Sequence, residues 1–321
     1  TEYSSGSWLN QGAGLFVDFH FTSDCKVNHL KISGNVKLGL FNANSKLTYV
    51  TKRANPDVHI GVGGFAARTA NSSGTVTFDH FNLKNINVYG GTMTGGAIGY
   101  IDGYSNKAGR NVSFTNWTIQ NETVTKWVSD DGSTGGLVGW NIGYGTLSIT
   151  GKKDSSVKNV EQLSVTTHAE KYATAAAGGL VGANDYSSVN VENVNAQNLS
   201  VSGRNLRDIG GLIAAVRNSD SFNVNKCKLN SAQITAQINN TYKYNNVNTG
   251  GIVGYHNREL KISKVTLEKQ SSINGQQYTG GFIGHSAGNV EISDCRENSV
   301  NIKTDMNWCG GFIGYLYHNC T

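Results

Sequence analysis

Proline is almost absent from this 321-residue chain, which has a single Pro at position 56, and only 15% of its residues are charged. An average globular protein has about 5% Pro and about 25% charged residues. Strands inside a sheet need every backbone N–H, so the scarcity of Pro favours a chain of interior strands. With 38% hydrophobic residues the chain can build a core, which excludes a disordered protein.

Long apolar runs and clusters of basic residues are also missing. No stretch approaches the roughly 18 uninterrupted apolar residues of a membrane span, so we expect no membrane insertion. The net charge of +5 is spread thinly along the chain. Nucleic-acid-binding proteins carry a basic patch or stripe, and we therefore predict no nucleic-acid partner.

Glycine, in contrast, is abundant, with 40 residues, and a large part of it lies in a repeat. A Gly-Gly pair followed by two apolar residues and a small one recurs 30 to 43 residues apart. We expect these pairs to mark corners where a positive φ or a close backbone approach excludes a side chain. Their second glycines are Gly64, Gly96, Gly136, Gly179, Gly211, Gly251, Gly281 and Gly311.

Between the Gly-Gly pairs, apolar residues recur with spacings of 2, 3 and 2, as in Val76, Phe78, Phe81 and Leu83. A spacing of 2 is strand alternation, and the step of 3 indicates a bend or bulge between two strand pieces. A further short strand follows in several units, and no window predicts an amphipathic helix. Units of about 30 residues cannot bury an apolar face alone. The pattern predicts an all-β protein, a β-solenoid (parallel β-helix-like) of about nine coils with three short strands per coil.

The first part of the chain follows this pattern only loosely. We assign residues 1–61 to one or more degenerate N-terminal coils or a donor segment, and residues 62–321 to the repeats. A solenoid exposes unpaired strand edges at its ends, and residues 15–21 are strand-like. The pattern therefore predicts self-association end to end.

The repeat units resemble a known family. The segments GGLVGWNIGYGTLSIT, GGIVGYHNRELKIS and GGFIGHSAGNVEISDC are similar to the GLUG-type repeats of bacterial and protist surface proteins. The usual Asn-Ser-Tyr stretch after the second strand is replaced here by forms such as NVENVNAQ. The resemblance implies an extracellular or cell-surface repeat of the kind found in adhesins, with no catalytic residue in the repeat itself.

The five cysteines include no CxxC motif, so we predict neither a zinc site nor a redox motif. Cys227 and Cys295 fall at core positions of the repeat, two coils apart, and we expect them to be buried free thiols. Cys25, Cys309 and Cys320 are candidates for a disulfide, either between the last two or with another segment or chain. The eight His residues show no ligand spacing, and we predict no metal and no cofactor.

Aromatic residues recur six positions into the Gly-Gly units, at Tyr100, Trp140, Tyr255, His285 and Tyr315, with Ala183 and Ala215 between them. Stacking would align them in rows. We favour a core ladder, and the alternative is an outward stripe suited to a sugar ring or a protein partner.

Three long units carry their extra residues before the next Gly-Gly pair, where Lys stands beside an aromatic residue. Insertions in a solenoid form loops on one side, so these loops are either recognition loops or ordinary polar loops. The aromatic residues are Trp127, Tyr172, Tyr242 and Tyr244.

Seven Asn-x-Ser/Thr sequons occur, no more than the Asn, Ser and Thr content produces by chance. They make Asn71, Asn111, Asn116, Asn121, Asn198, Asn239 and Asn319 candidates for glycosylation.

Carboxylates do not line up as an enzyme on a β-helix would require. Asp102 and Asp185 occupy equivalent positions, but Ile142 lies between them and Arg217 follows. We therefore expect no catalytic residue.

Together the patterns predict a non-enzymatic structural or adhesive module of a secreted or cell-surface protein, able to assemble end to end into filaments, with a glycan or a surface protein as ligand. The alternative is a carbohydrate-binding or carbohydrate-active β-helix protein that uses the loops before the Gly-Gly corners.

Overall fold

The computed structural model describes residues 12–39, 61–71, 74–90, 92–103, 110–128, 132–154, 156–239 and 246–318. These residues form 35 strands connected by turns and bends, and none of them lies in an α-helix. Within the same ranges, no helix is long and apolar enough to cross a membrane.

The strands build three parallel sheets, which are the three sides of a β-solenoid. Sheet 1 has nine strands: β2 (Phe16–Phe21), β6 (Ala66–Asn71), β10 (Ile98–Gly103), β14 (Val138–Gly143), β17 (Val181–Asp185), β20 (Ile213–Arg217), β25 (Val253–His256), β30 (Ile283–Ser286) and β35 (Ile313–Leu316). Sheet 2 has eight strands: β3 (Cys25–Asn28), β7 (Thr75–Asp79), β11 (Arg110–Thr115), β15 (Gly145–Thr150), β18 (Ser188–Glu192), β21 (Phe222–Asn225), β26 (Leu260–Ser263) and β31 (Val290–Ser293).

Sheet 3 contains the remaining 18 strands. They are β1 (Gly12–Ala13), β4 (Lys31–Gly39), β5 (Gly61–Gly63), β8 (Asn82–Tyr89), β9 (Met93–Gly95), β12 (Thr118–Val128), β13 (Ser133–Gly135), β16 (Val160–Gly178), β19 (Asn195–Gly210), β22 (Lys228–Asn230), β23 (Gln233–Gln237), β24 (Asn248–Gly250), β27 (Thr266–Leu267), β28 (Ser272–Gly275), β29 (Tyr278–Gly280), β32 (Arg296–Glu297), β33 (Asn301–Thr304) and β34 (Trp308–Gly310).

The predicted fold class is confirmed, because each coil contributes one strand to sheet 1 and sheet 1 has nine strands. The apolar positions with spacings of 2, 3 and 2 stack in register in the interior. One interior row, from β7 to β31, runs through Phe78, Phe114, Ile149, Val191, Val224, Ile262 and Ile292. Nine coils at the parallel-strand spacing give a solenoid about 40 Å long.

The step of 3 is a corner made by one residue in the left-handed region. His80 (φ 55°) lies between Phe78 and Phe81, and Asn116 (φ 53°) takes the equivalent place in the next coil. Seven of the described residues with positive φ and a side chain are Asn, which tolerates this conformation better than most residues. Corners of this type therefore account for part of the Asn content.

Except at Gly311 in the last coil, the second glycines exclude side chains by close backbone approach, and none of them has a positive φ. A Cβ on Gly179 would lie 2.0 Å from the Gly211 carbonyl oxygen of the next coil, and one on Gly251 would lie 2.1 Å from that of Gly281. Each of these glycines also faces an interior side chain across the solenoid. For Gly179 that side chain is Leu199.

The N-terminal residues form a coil of their own. Strands β1 to β4 pair with β5, β6, β7 and β8 in the same order as later coils do. The described part of the predicted donor segment, residues 12–39, is therefore the first coil of the solenoid.

Four of the five cysteines lie in the described residues, and none of these forms a disulfide there. Cys227 is buried and Cys295 half-buried, with the coil of Val265 between them. Burial raises the pKa of the Cys227 thiol to about 12, so it is an inert thiol. Cys25 lies in the first coil and exposed Cys309 in the last, while Cys320 is outside the described residues.

Candidate functional site

The aromatic row predicted from the repeats lies on sheet 1, outside the main core. In register it contains Arg68, Tyr100, Trp140, Ala183, Ala215, Tyr255, His285 and Tyr315. The residues that follow Tyr100 and Ala215 along their strands, Ile101 and Val216, belong to the main core. Ala183 and Ala215 of the row form a separate cluster with Trp140 packed against it, so the row lies on the other side of the strands from these core residues. The row lies outside the main core, yet Tyr100, Ala183 and Ala215 are buried, so neither the favoured core ladder nor the outward stripe describes the whole row.

Towards the last coils the row becomes a contiguous aromatic surface. We call Tyr255, Tyr278, His285, Trp308 and Tyr315 the aromatic face. The His285 ring lies 5.2 Å from Tyr255, 5.1 Å from Tyr278 and 5.0 Å from Tyr315, measured between centroids. Tyr278 and Tyr315 are stacked at 4.8 Å, and Trp308 lies 5.6 Å from Tyr315. Trp308 is 46% exposed, and the other four rings are half-buried.

In the middle of the row the side chains are small, and a residue of another strand packs against them. Ala183 and Ala215 pack with Ala176 and Ala214 in a cluster separate from the main core, and Trp140 packs against it. Ala176 belongs to the extended strand β16, which has 19 residues. The predicted insertion of residues 168–177 is therefore part of the continuous strand β16 in sheet 3, and Ala176 near its end packs against sheet 1.

A group of charged side chains connects the end of β19 to sheet 1. Asp208, on β19, is fully buried and accepts hydrogen bonds from Arg217 Nη2 at 2.7 Å, Arg207 Nε at 3.1 Å and Asn248 Nδ2 at 2.6 Å. Arg217 Nη1 also lies 3.6 Å from Asp185 Oδ1. We call Asp185, Arg207, Asp208 and Arg217 the ionic cluster.

Aromatic side chains complete the surroundings of the ionic cluster. Trp140 Nε1 donates to Asp185 Oδ2 at 2.6 Å. Burial raises the pKa of the Asp185 carboxyl, although Arg217 and Trp140 favour its charged form. The Tyr172 hydroxyl donates to the Asn246 carbonyl oxygen at 2.5 Å, and burial raises its pKa to about 12.

The two carboxylates of the ionic cluster correct an expectation from the sequence. We expected acidic residues not to converge, yet Asp185 and Asp208 both contact Arg217. Asp208 stands two residues before a Gly-Gly pair, in the same register row as Asn248 and Tyr278, so the alignment of this position across the units contains the signal that sequence reasoning did not use. Both Asp208 oxygens accept hydrogen bonds from neighbouring side chains, so this carboxylate is a structural acceptor.

A polar groove adjoins the aromatic face. It has a volume of about 940 Å³ and crosses the ends of β23, β28 and β33 and the middle of β19 at Arg204. Its lining includes Arg204, Gln237, Asn274, Gln276, Lys303 and Asp305. Gln276 is separated by one residue from Tyr278, and Asp305 precedes Trp308 by three residues. The groove and the aromatic face are therefore formed by neighbouring residues of the same coils.

The remaining predicted recognition residues are dispersed or undescribed. Tyr100 is only 4% exposed and lies far along the row from the aromatic face. The side chain of Trp127 and all of Tyr242 and Tyr244 lie outside the described residues. Sequence reasoning missed Tyr278 and Trp308, although both stand two residues before a Gly-Gly pair, a position that could have been aligned.

The sequons differ in how accessible the Asn side chain is. Asn116 donates to Asp79 at 3.0 Å, and Asn111 accepts a hydrogen bond from the Thr146 backbone. Asn121, which donates to a neighbouring Asn, and Asn198 are exposed. Asn239 accepts from Arg204. The Asn71 side chain and Asn319 lie outside what the structure describes.

Comparison with known proteins finds no matching family model, no matching curated protein and no matching solved structure. The resemblance to GLUG-type repeats thus stays a prediction, and the fold stands on the strand pairing alone.

Proposed function

We propose that this chain is a non-enzymatic adhesive module of a secreted or cell-surface protein, in which the solenoid presents the aromatic face to a carbohydrate. The observation that carries the proposal is the contiguous, partly exposed set of rings on β25, β29, β30, β34 and β35. Aromatic rings offer large, rigid, apolar surfaces with polar edges, and such exposed patches mark interaction sites. The resemblance to GLUG-type repeats supports the extracellular location.

The absence of catalysis is part of the proposal. It is supported by the engagement of Asp208 with two arginines and an asparagine, and by ladders of amide side chains, such as Asn121 with Asn85 and Asn223 with Asn190. A structural module needs such ladders, because stacked amides satisfy one another from coil to coil. In the alternative, a carbohydrate-active enzyme, Asp185 is a candidate acid, because burial raises its pKa and it lies beside Trp140 on sheet 1.

A glycan-binding measurement tests the proposal. The chain is screened against immobilised glycans, and binding is followed by the fluorescence of Trp308 and its neighbours. Tyr255→Ala and Tyr278→Ala are expected to weaken binding about tenfold or more while leaving the unfolding transition in place. Tyr144→Ala is the matched control, because Tyr144 is 38% exposed and pairs with Tyr186 on another part of the surface.

Two results would contradict the proposal. One is the failure of every glycan to bind. The other is cleavage of a bound glycan that Asp185→Asn abolishes, which would establish the enzyme alternative.

The proposal includes end-to-end assembly of the solenoid. At the first coil Leu15, Phe16 and Val17 are 57%, 45% and 51% exposed, and at the last coil Phe312 is 40% exposed. Leu15 occupies the same row as Phe312, which stacks on Phe282 at 4.9 Å. Burying such end residues against a second copy would continue the apolar rows across the junction.

Light scattering and electron microscopy test the assembly. Filaments or a mass that rises with concentration are expected, and Phe312→Asp should suppress them. A strictly monomeric chain at high protein concentration under oxidising conditions would refute this part of the proposal.

A further inference from the structure

The polar groove has more cationic than anionic character. Arg204 and Lys303 are both exposed at its edges, and Arg204 gives one hydrogen bond, from Nη2, to Asn239 Oδ1 at 3.1 Å. The lining carboxylate, Asp305, accepts a hydrogen bond from Gln276 Nε2 at 2.8 Å. Two cations therefore face the groove, and the carboxylate within it already has a donor.

Hydrogen-bonding side chains repeat along the groove from strand to strand. Thr235, Asn274 and Lys303 are in register on β23, β28 and β33, and Arg204 is in register with Gln237 on the neighbouring row. Successive residues of a row are about 4.8 Å apart, which is the spacing between neighbouring strands. This step is close to the length of one sugar unit in an extended glycan, so such a chain lying along the solenoid axis meets a polar side chain at every unit.

We propose that the groove and the aromatic face together bind an acidic oligosaccharide along the solenoid axis. Its sugar rings pack against Tyr278 and Trp308, and its carboxylate or sulfate groups pair with Arg204 and Lys303. This inference rests on the proposed carbohydrate-binding function and specifies its ligand. Guanidinium and ammonium groups are the donors suited to these anions, and the amides of Gln237 and Asn274 suit sugar hydroxyl groups.

Calorimetric titration with three defined probes tests the inference. The probes are a galacturonic acid hexamer, which carries carboxylates, a heparin-derived hexasaccharide, which carries sulfates, and neutral cellohexaose. At least one acidic probe is expected to bind about tenfold more tightly than the neutral one in low salt, and to lose that advantage as salt rises. The acidic probe that binds better identifies the anionic group.

The variant for this test is the double substitution Arg204→Gln, Lys303→Gln. It is expected to bind the acidic probe about tenfold less tightly than the unaltered chain, because hydrogen bonds to charged groups are lost. Lys84→Gln is the control for charge, since Lys84 is exposed on β8, near the other end of the solenoid. Lys84→Gln should bind the acidic probe with the affinity of the unaltered chain. Both variants should have the same unfolding transition as the unaltered chain.

The outcomes separate the inference from the proposed function. Equal affinity for neutral and acidic probes, or unchanged acidic binding by the double variant, overturns the inference and leaves carbohydrate binding intact. Failure of all three probes and of the glycan screen overturns both.

Discussion

Glu122 is a carboxyl group in a row of aliphatic side chains inside the solenoid. It is in register with Ile86 and Leu163 and packs against Gly96, the second glycine of a Gly-Gly pair. It is 2% exposed, and neither of its oxygens has a hydrogen-bond partner among the described residues. Burial raises the pKa of this carboxyl well above its usual value. Glu297 stands opposite Gly281 in the same way, and burial raises its pKa to about 7.

The Glu122 side chain makes stability fall as pH rises. The unfolded chain releases the Glu122 proton near the ordinary value of 4.5, whereas the folded chain keeps it to higher pH. The folded state thus binds more protons above that value, and stability declines until the folded pKa is passed. Glu122→Leu should remove the part of this decline that Glu122 causes, leave the part that Glu297 causes, and raise the free energy of unfolding at neutral pH by about 1–3 kcal/mol.

Urea unfolding between pH 4 and pH 8 measures this effect. Glu161→Leu is the control, because Glu161 is exposed on β16. If Glu122→Leu and Glu161→Leu keep the same pH dependence as the unaltered chain, Glu122 is not a protonated interior group.

The second glycines of the Gly-Gly pairs provide a second residue-scale prediction. Gly179→Val and Gly251→Val should each lower the free energy of unfolding by at least about 1–3 kcal/mol, because the new side chain meets a backbone carbonyl of the next coil. Gly311 is a control at the same motif position, since a Cβ there meets only Glu297 Oε2, at 3.9 Å. Melting temperatures unchanged in both valine variants would contradict the corner assignment.

At the scale of elements, the ionic cluster joins the end of β19 to β20 through side chains. Asp208 belongs to β19 and Arg217 to β20, and Asn248 joins them from β24. The side chain of Asp208 is inaccessible to solvent, and that of Arg217 is 18% exposed. A buried ion pair of this kind helps to fix the position of β19 relative to β20, and the loss of one partner leaves the other charge unpaired.

Asp208→Leu should therefore destabilise the protein by about 3–5 kcal/mol, because Arg207 and Arg217 lose their shared acceptor. Guanidinium chloride unfolding measures the change. The comparison is Asp18→Leu, which removes a partner of Arg68 at a position where the Asp side chain is 44% exposed and the ion pair is weak. Equal losses in the two variants would show that the ionic cluster does not hold β19 in place.

At the scale of the whole molecule, each coil contacts its neighbours along a single axis, so the end coils have fewer contacts than the central ones. Strand β17 is buried throughout, whereas β2 and β34 are mostly exposed or half-buried. Local opening should therefore begin at the ends.

Hydrogen exchange checks this expectation. Backbone amides of β17 and β20 should exchange most slowly, and those of β1 to β4 and β33 to β35 should exchange first. Uniform protection from the first coil to the last would mean that the solenoid unfolds as one cooperative unit.

Much of the coil architecture could be read from the sequence, because its causes are local. Alternation places Val76 and Phe78 on one side of a strand, and the step to Phe81 requires one corner residue, whatever the rest of the chain does. The sequence left open whether the Gly-Gly pairs needed a positive φ or a close approach. The position of the Gly211 carbonyl beside Gly179 belongs to a neighbouring coil, so only the stacked structure shows that close approach is the reason.

The sequence by itself determined the all-β solenoid, its nine coils and its buried rows, since identical coils repeat the same short-range requirements. Only the tertiary structure decided on which face of sheet 1 the aromatic row lies and which charged side chains pair with each other. Asp208 meets Arg217, and Tyr278 meets His285, across a Gly-Gly corner that joins the end of a sheet 3 strand to the next strand of sheet 1. Both contacts depend on where the backbone turns between repeats, and spacing along the chain does not specify that direction.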